Sequence, residues 1–234
     1  MFDSITQYAD KVDAAMMYIV GFSVLMLIGI TIVMLFFIYK YHHTRHPEPK
    51  QTHGSLALEA LWIIIPTIIV LSMFWISYVD YAELRASGDD YDEKIHVNVR
   101  NWEWYLNYDN GVQLKSNIIK DLDQERDDFY IPQGRKIKFV LSGDDPSLPA
   151  DFIHSFYIPA FRIKEDIVPG RETFIYVTPE KEGTYTLTCT EYCGQWHSRM
   201  YANLHVIPAD VYDKWKAESA PDTGEEETEE VAAN

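Results

Sequence analysis

Basic residues are scarce in this 234-residue chain: 20 lysines and arginines stand against 36 aspartates and glutamates, a formal net charge of −16. A polyanionic surface repels phosphate backbones, so nucleic acid is excluded as a partner and a charged partner is expected to be cationic. Cysteine is rarer still, with 2 in the chain, which excludes a disulfide-dense scaffold. No C-x-x-C-H haem-attachment run, no Gly-rich phosphate loop and no internal repeat occurs. The first residues also lack the basic segment of a signal peptide, since Asp3, Asp10 and Asp13 outweigh Lys11. No cysteine stands near them to carry a lipid, and the first apolar stretch is expected to be retained.

What the chain does have is concentrated. The hydrophobic fraction is 47% and the mean hydropathy only −0.20, yet charge is absent over all 26 residues from Ala14 to Tyr39 and all 20 from Ala60 to Val79. About 20 apolar residues in a helix cross the ~30 Å hydrocarbon layer, whereas a soluble core helix seldom carries more than about 14. Two transmembrane helices, over about 14–39 and 60–80, are therefore expected within a hairpin covering 14–82, after an outer segment 1–13. The loop from Lys40 to Gly54 carries Lys40, Arg45 and Lys50 against Glu48, and four histidines, His42, His43, His46 and His53. Acidic residues flank the other side: Asp80, Glu83, Asp89 and Asp90. The basic loop predicts a cytoplasmic turn, with both termini and everything after the second helix outside. The histidines lack metal-ligand spacing and are expected to meet lipid headgroups.

After a connector over 83–93, the segment 94–208 changes period. Ile95 to Val99, Lys136 to Leu141, Thr173 to Val177 and Thr184 to Thr188 alternate or run β-branched, separated by Asn110-Gly111, Gly134, Pro146, Pro169-Gly170 and Gly183. Short strands at this spacing predict an all-β sandwich or barrel. The last stretch, 209–234, reads as one short helix and an acidic tail in which Glu225, Glu226, Glu227, Glu229 and Glu230 cluster; its composition predicts disorder.

Both cysteines fall in one run, Cys189-Thr-Glu-Tyr-Cys193-Gly-Gln-Trp-His197-Ser-Arg-Met200. Soft sulfur with imidazole selects copper over hard cations, and one cysteine with histidine and an axial methionine is the blue-copper set. A second thiolate allows two sulfurs to bridge two coppers, each then needing its own histidine; the run Asp151-Phe-Ile-His154 supplies another. Three other readings stand beside this one. A disulfide would close a very small, strained loop and leave His197 and Met200 unexplained. A zinc site would use methionine, which is a poor zinc ligand. A mononuclear copper site would leave one thiolate idle.

The pattern Cys-x-Glu-x-Cys-x-x-x-His-x-x-Met, with His154 ahead of it in a His-Ser-aromatic context, resembles the CuA site of cytochrome c oxidase subunit II. The stretch Lys164-Glu-Asp166-Ile-Val-Pro-Gly-Arg171 resembles that family's Lys-x-Asp-x-x-Pro-Gly-Arg, and the hairpin followed by a β domain is similar as well. The resemblance implies a membrane-anchored α+β chain whose β domain is a cupredoxin barrel. It implies that Cys189 and Cys193 bridge two coppers, that His154 and His197 are terminal ligands, and that Met200 and the Glu191 backbone carbonyl are weak axial ones. It further implies a magnesium ion held by the Glu191 side chain at the junction with oxidase subunit I, a role that suits a hard oxygen donor; the bland alternative is a carboxylate that only orients the loop.

Two more residues gain roles by the same resemblance. Trp102 in Trp102-Glu-Trp104 resembles the family's surface tryptophan through which an electron enters from cytochrome c; the competing reading is core packing. Glu103 departs from the family's central aromatic at this point. Glu59, at the start of the second span, matches a glutamate at the mouth of a proton pathway into subunit I, and reads equally as an interfacial carboxylate. Glu103, Asp109, Asp121, Asp123, Asp144 and Asp145 are candidates for an acidic docking ring for a lysine-rich haem protein. The implied function is that of subunit II of a proton-pumping haem–copper oxidase. It takes electrons from cytochrome c, or from a membrane-bound haem c donor, and hands them to haem in subunit I, in an assembly with subunit III in a bacterial inner membrane. Oxygen is reduced on subunit I. Three rival functions fit less well: a quinol oxidase subunit lacks the two thiolates, nitrous oxide reductase adds a large catalytic domain, and a copper-delivery protein binds through exposed residue pairs.

Overall fold

A computed structural model describes residues 5–48, 50–51, 53–85, 88, 90–100, 102–116, 128–145, 148–149 and 152–221. Asp89, Asp121, Asp123, Asp151 and the acidic tail from residue 222 lie outside the described residues, as do the side chains of Asp144 and Asp145. The chain divides into two units: Tyr8–Ser87, and Gly88–Asn234 joined by Met1–Gln7.

The first unit is helical. Helix α1 spans Gln7–Lys40 and α2 spans Leu56–Arg85, so both uncharged runs lie inside helices. Their 34 and 30 residues correspond to about 45–50 Å of helix, more than the hydrocarbon layer requires. Their most apolar stretches reach mean hydropathies of 2.7 and 2.2 and bury none of that surface within the chain, unlike a soluble core helix. Polar side chains in the runs are satisfied locally. Ser23, Thr31 and Thr67 donate to the carbonyls of Ile19, Leu27 and Ile63, at 2.8, 2.7 and 2.7 Å. In hydrocarbon no water can do this, so the helix must. Pro66 sits inside α2, and Thr67 returns a hydroxyl to the turn that the proline disturbs. The two helices meet through a hydrogen bond of 2.9 Å between the Tyr18 hydroxyl and Ser72 Oγ, and through the ion pair of Lys11 with Glu83.

Among the described residues the second unit carries twelve strands: β1 (Glu93–Arg100), β2 (Glu103–Tyr108), β3 (Gln113–Lys115), β4 (Asp128–Pro132), β5 (Ile137–Ser142), β6 (Asp144–Asp145), β7 (Leu148–Pro149), β8 (His154–Ile158), β9 (Ile163–Ile167), β10 (Glu172–Val177), β11 (Gly183–Cys189) and β12 (Tyr201–Ile207). Two five-stranded sheets form, in the orders β10-β5-β1-β2-β3 and β4-β12-β11-β8-β9, with β6 and β7 as a small separate pair. Strand β1 shows how sequence becomes layer: Ile95, Val97 and Val99 point inward at 0% exposure while His96, Asn98 and Arg100 point outward. The two inner faces close on one core containing Trp104, Leu106, Phe129, Phe139, Leu141, Phe156 and Leu187. Trp104 meets Phe156 edge-on with ring centroids 5.8 Å apart, and Phe156 meets Phe139 at 5.1 Å. The turn at Asn110-Gly111 holds Gly111 at φ +85°, the left-handed conformation that favours glycine.

Helix α3 (Ala209–Glu218) covers one end of the sandwich. Trp215 lies against Tyr108 and Tyr130 at 5.1 and 4.9 Å, and Arg135 grips Asp213 with two hydrogen bonds of 2.7 and 2.6 Å. Lys216 lies between Glu93 and Asp109, 2.5 Å from each.

Candidate metal centre

The thiol–imidazole cluster assembles where β8 begins and β11 ends. Antiparallel pairing sets Cys189 opposite Phe156, and the two-residue pleat period then puts His154 on the inner side beside the loop that follows Cys189. Beyond Cys189 the chain runs through Glu191 and Cys193 into one turn of 3-10 helix, His197–Arg199, and enters β12 after Met200. Cross-bonds clamp this loop. The Met200 carbonyl accepts from the Cys189 amide at 3.2 Å and from the Trp104 indole at 3.4 Å.

Both cysteines are buried and free, and their sulfurs are 3.8 Å apart. A disulfide needs about 2.05 Å, so the disulfide reading does not describe this arrangement. Cys189 Sγ lies 3.9 Å from His154 Nδ1, and Cys193 Sγ lies 3.6 Å from His197 Nδ1. With metal bonds of about 2.3 Å to sulfur and 2.0–2.1 Å to nitrogen, such separations correspond to angles of roughly 110–130° at a metal. The donors therefore stand at bonding reach of metals lodged between them. They also divide in two. His154 Nδ1 and the two sulfurs lie within 4.8 Å of one another, a set that does not include His197, which sits against Cys193. One imidazole serves each end of the sulfur pair, a layout that fits two metals sharing both thiolates. The Glu191 carbonyl is 3.3 Å from Cys189 Sγ, and the Met200 side chain is buried at 1% exposure.

The two thiols are shifted in opposite directions. A hydrogen bond from the Cys193 thiol, with help from His154, lowers the pKa of the Cys189 thiol. The same bond, with burial, pushes the Cys193 thiol up. Around the cluster His154 is fully buried, its Nε2 unpartnered among the described residues, while the His197 ring is half-buried. Phe152, Ile153, Tyr192, Trp196 and Tyr201, all sequence neighbours of the donors, are 36–78% exposed. That apolar rim is what an interaction surface offers.

Trp102 joins the site from the β1–β2 connection. Its indole donates to the Cys193 carbonyl at 2.9 Å, and its ring is half-buried against the core. Trp104 is the buried member of the pair, at 0% exposure. Glu59 belongs to the helical unit, exposed in the first turn of α2, and its amide donates to the Ser55 carbonyl at 2.9 Å. Of the acidic residues expected to form a docking ring, only Glu103 and Asp109 have described side chains. Glu103 is held by Lys115 at 2.9 Å and by the Tyr105 hydroxyl at 3.0 Å, at the start of β2. Asp109 follows the far end of that strand and is paired with Lys216. Sequence reasoning passed over Gly194; the signal for it was its place directly after Cys193.

Residues 94–207 match the family described as "Cytochrome C oxidase subunit II, periplasmic domain", and residues 1–78 match its "transmembrane domain". A "Probable cytochrome c oxidase subunit 2" of Streptomyces coelicolor is 27% identical over 76% of this chain and 65% of its own length. The "Cytochrome c oxidase subunit 2" of Alkalihalophilus pseudofirmus is 29% identical over 92% of this chain and 60% of its own. The chain thus spans less than two thirds of either relative. Among solved structures, the periplasmic domain of subunit II of cytochrome oxidase of Bradyrhizobium japonicum aligns with 56% of this chain and 94% of that one, at 25% identity and a TM-score of 0.49.

Proposed function

The chain belongs to the cytochrome c oxidase subunit II family, and on that basis we propose that it accepts electrons one at a time from a cytochrome c. It passes them to haem in oxidase subunit I, where oxygen is reduced to water and protons are pumped. The observation that carries this reading is the split donor set: two sulfurs 3.8 Å apart with one imidazole at each end. Two bridged copper ions would supply a single-electron store whose charge is spread over both metals, so that bond lengths change little on reduction. Cys189, Cys193, His154 and His197 would hold the copper, with Met200 and the Glu191 carbonyl as weaker donors. The Glu191 carboxylate is offered to a magnesium ion at the junction with subunit I.

The protein's work is to hold these donors rigid and dry. Burial of both sulfurs, of His154 and of Met200 excludes water, and the Cys189–Met200 and Trp104–Met200 bonds keep the loop from relaxing between redox states. Trp102 is the entry point for the electron: its ring reaches the surface while its N–H is bonded to the carbonyl of a ligand cysteine. Glu59, a carboxylate at the start of the second span, receives protons at the cytoplasmic side. The β domain and both termini stand on the outer face of a bacterial inner membrane, the side that the basic loop between the helices favours.

The deciding experiment is electron paramagnetic resonance of the copper-loaded full chain. The reading expects one unpaired electron split by two equivalent copper nuclei; splitting by a single nucleus overturns the dinuclear centre. Cys189→Ser and Cys193→Ser are each expected to abolish that signal.

A further inference from the structure

We propose that Gly194 and Trp102 act together as a positioning pair that sets the placement of Cys193 relative to His197. The role rests on the metal-binding reading of the loop and is independent of whether electrons enter at Trp102.

Two backbone observations carry it. Gly194 has φ +110°, in the region that only glycine enters readily. Trp102 has φ +78°, one of two non-glycine residues with positive φ among the described residues, in a region that a bulky side chain rarely occupies. Both unusual conformations face each other across one contact. A Cβ on Gly194 would stand 3.3 Å from Trp102 Cζ2 and 3.5 Å from its Nε1, so the absent side chain is what lets the indole lie on this peptide.

The consequences reach two ligands. Trp102 Nε1 donates to the Cys193 carbonyl at 2.9 Å, and the next carbonyl, that of Gly194, accepts the His197 amide at 3.2 Å. Consecutive carbonyls are thus assigned to different clients: one ties the Cys193 backbone to the β1–β2 connection, the other starts the 3-10 turn that presents His197. The Cys193–His197 separation of 3.6 Å then depends on how the two peptides that meet at Gly194 are turned. If Gly194 gains a side chain, the indole is lifted and the peptide is free to turn. If the indole loses its N–H, the packing stays and the carbonyl loses its anchor. Trp102 closes over the backbone of Cys193, whose residue exposure is 0%, so loosening the pair also opens the sulfur.

The test uses the full chain in detergent as parent, Gly194→Ala and Trp102→Phe. In the metal-free protein, alkylation of Cys193 by iodoacetamide is followed by mass spectrometry, with Cys189 as internal reference. Loss of one buried hydrogen bond shifts an opening equilibrium by about tenfold. Cys193 is therefore expected to react about tenfold faster relative to Cys189 in Trp102→Phe, and faster again in Gly194→Ala. After copper loading, both variants are expected to bind metal and to show altered visible bands and hyperfine splitting. An unchanged Cys193 rate with an unchanged spectrum in Trp102→Phe overturns the proposal, and this variant decides the question if Gly194→Ala fails to fold. A parent chain that binds no copper sinks the functional reading, while the alkylation ratio still reports on the pair.

Discussion

Helix α2 buries none of its residues, whereas strand β1 buries every second one. Both are rich in isoleucine and valine, yet in the first the apolar atoms face outward and in the second they face a core. The difference lies in how each backbone closes its hydrogen bonds. A helix satisfies its own, so its side chains are free to meet lipid. A strand satisfies them on its neighbours, leaving one side of each sheet to be covered by the other. The hydroxyls follow the same division. Thr67 bonds a carbonyl of its own turn, while Ser116 reaches across to accept the Trp104 amide at 2.7 Å. One chain thus carries two solvents' rules, changing between them near residue 88.

Substitutions on either side probe this difference. The largest effect is expected in the sandwich: Phe156→Ala removes a ring packed between Trp104 and Phe139 at 0% exposure and should cost about 3–5 kcal/mol. Denaturant unfolding followed by tryptophan emission would read it, and a loss of only about 1 kcal/mol, the worth of one hydrogen bond, would mean the core is not tightly packed. Next comes Val70→Arg, midway along the uncharged run of α2 with 61% exposure. Insertion should be penalised by about 2.5–3.5 kcal/mol, measured as the inserted fraction in microsomes; no penalty would show that this face does not meet lipid.

Smaller effects are expected where single polar contacts are removed. Ser72→Ala deletes the 2.9 Å contact with Tyr18 between the helices and is expected to weaken their association by only about 0.6 kcal/mol, as read by unfolding in micelles. A large loss there would make that single bond the hairpin's main fastening. The smallest concerns pH. The Arg135 guanidinium holds the Asp213 carboxyl below its usual range. Because the folded value is depressed, this contribution to α3 docking is complete above the unfolded value of about 3.9 and fades as pH falls through the folded value. Hydrogen exchange of the 209–218 peptide should therefore rise on acidification more in the parent than in Asp213→Asn, where the tie is already gone. Equal rises in both would assign the acid response to other carboxylates.

Much of this architecture was legible in the order of residues alone. The uncharged runs 14–39 and 60–79 lie within α1 and α2, and the four runs read as strands lie in β1, β5, β10 and β11. Strands β2, β4, β8, β9 and β12 were harder to see, because aromatic and charged residues interrupt their alternation, as in β9, where Lys164, Glu165 and Asp166 stand between Ile163 and Ile167. Of the acidic residues offered for docking, only Glu103 and Asp109 have described side chains. Glu103 and Asp109 stand at opposite ends of β2 and are each engaged by a lysine of the same domain.

By itself the sequence determined which segments are apolar enough to cross a bilayer, and which side chains are soft enough to bind copper, since both depend on residue types close together in the chain. Only the tertiary structure decided that His154 would lie against a sulfur 35 positions away, or that the Trp102 indole would rest on a glycine and bond a carbonyl 91 positions away. Those facts depend on strand register and on how two sheets close. Register is set by cross-chain hydrogen bonds and core packing, which no local period encodes.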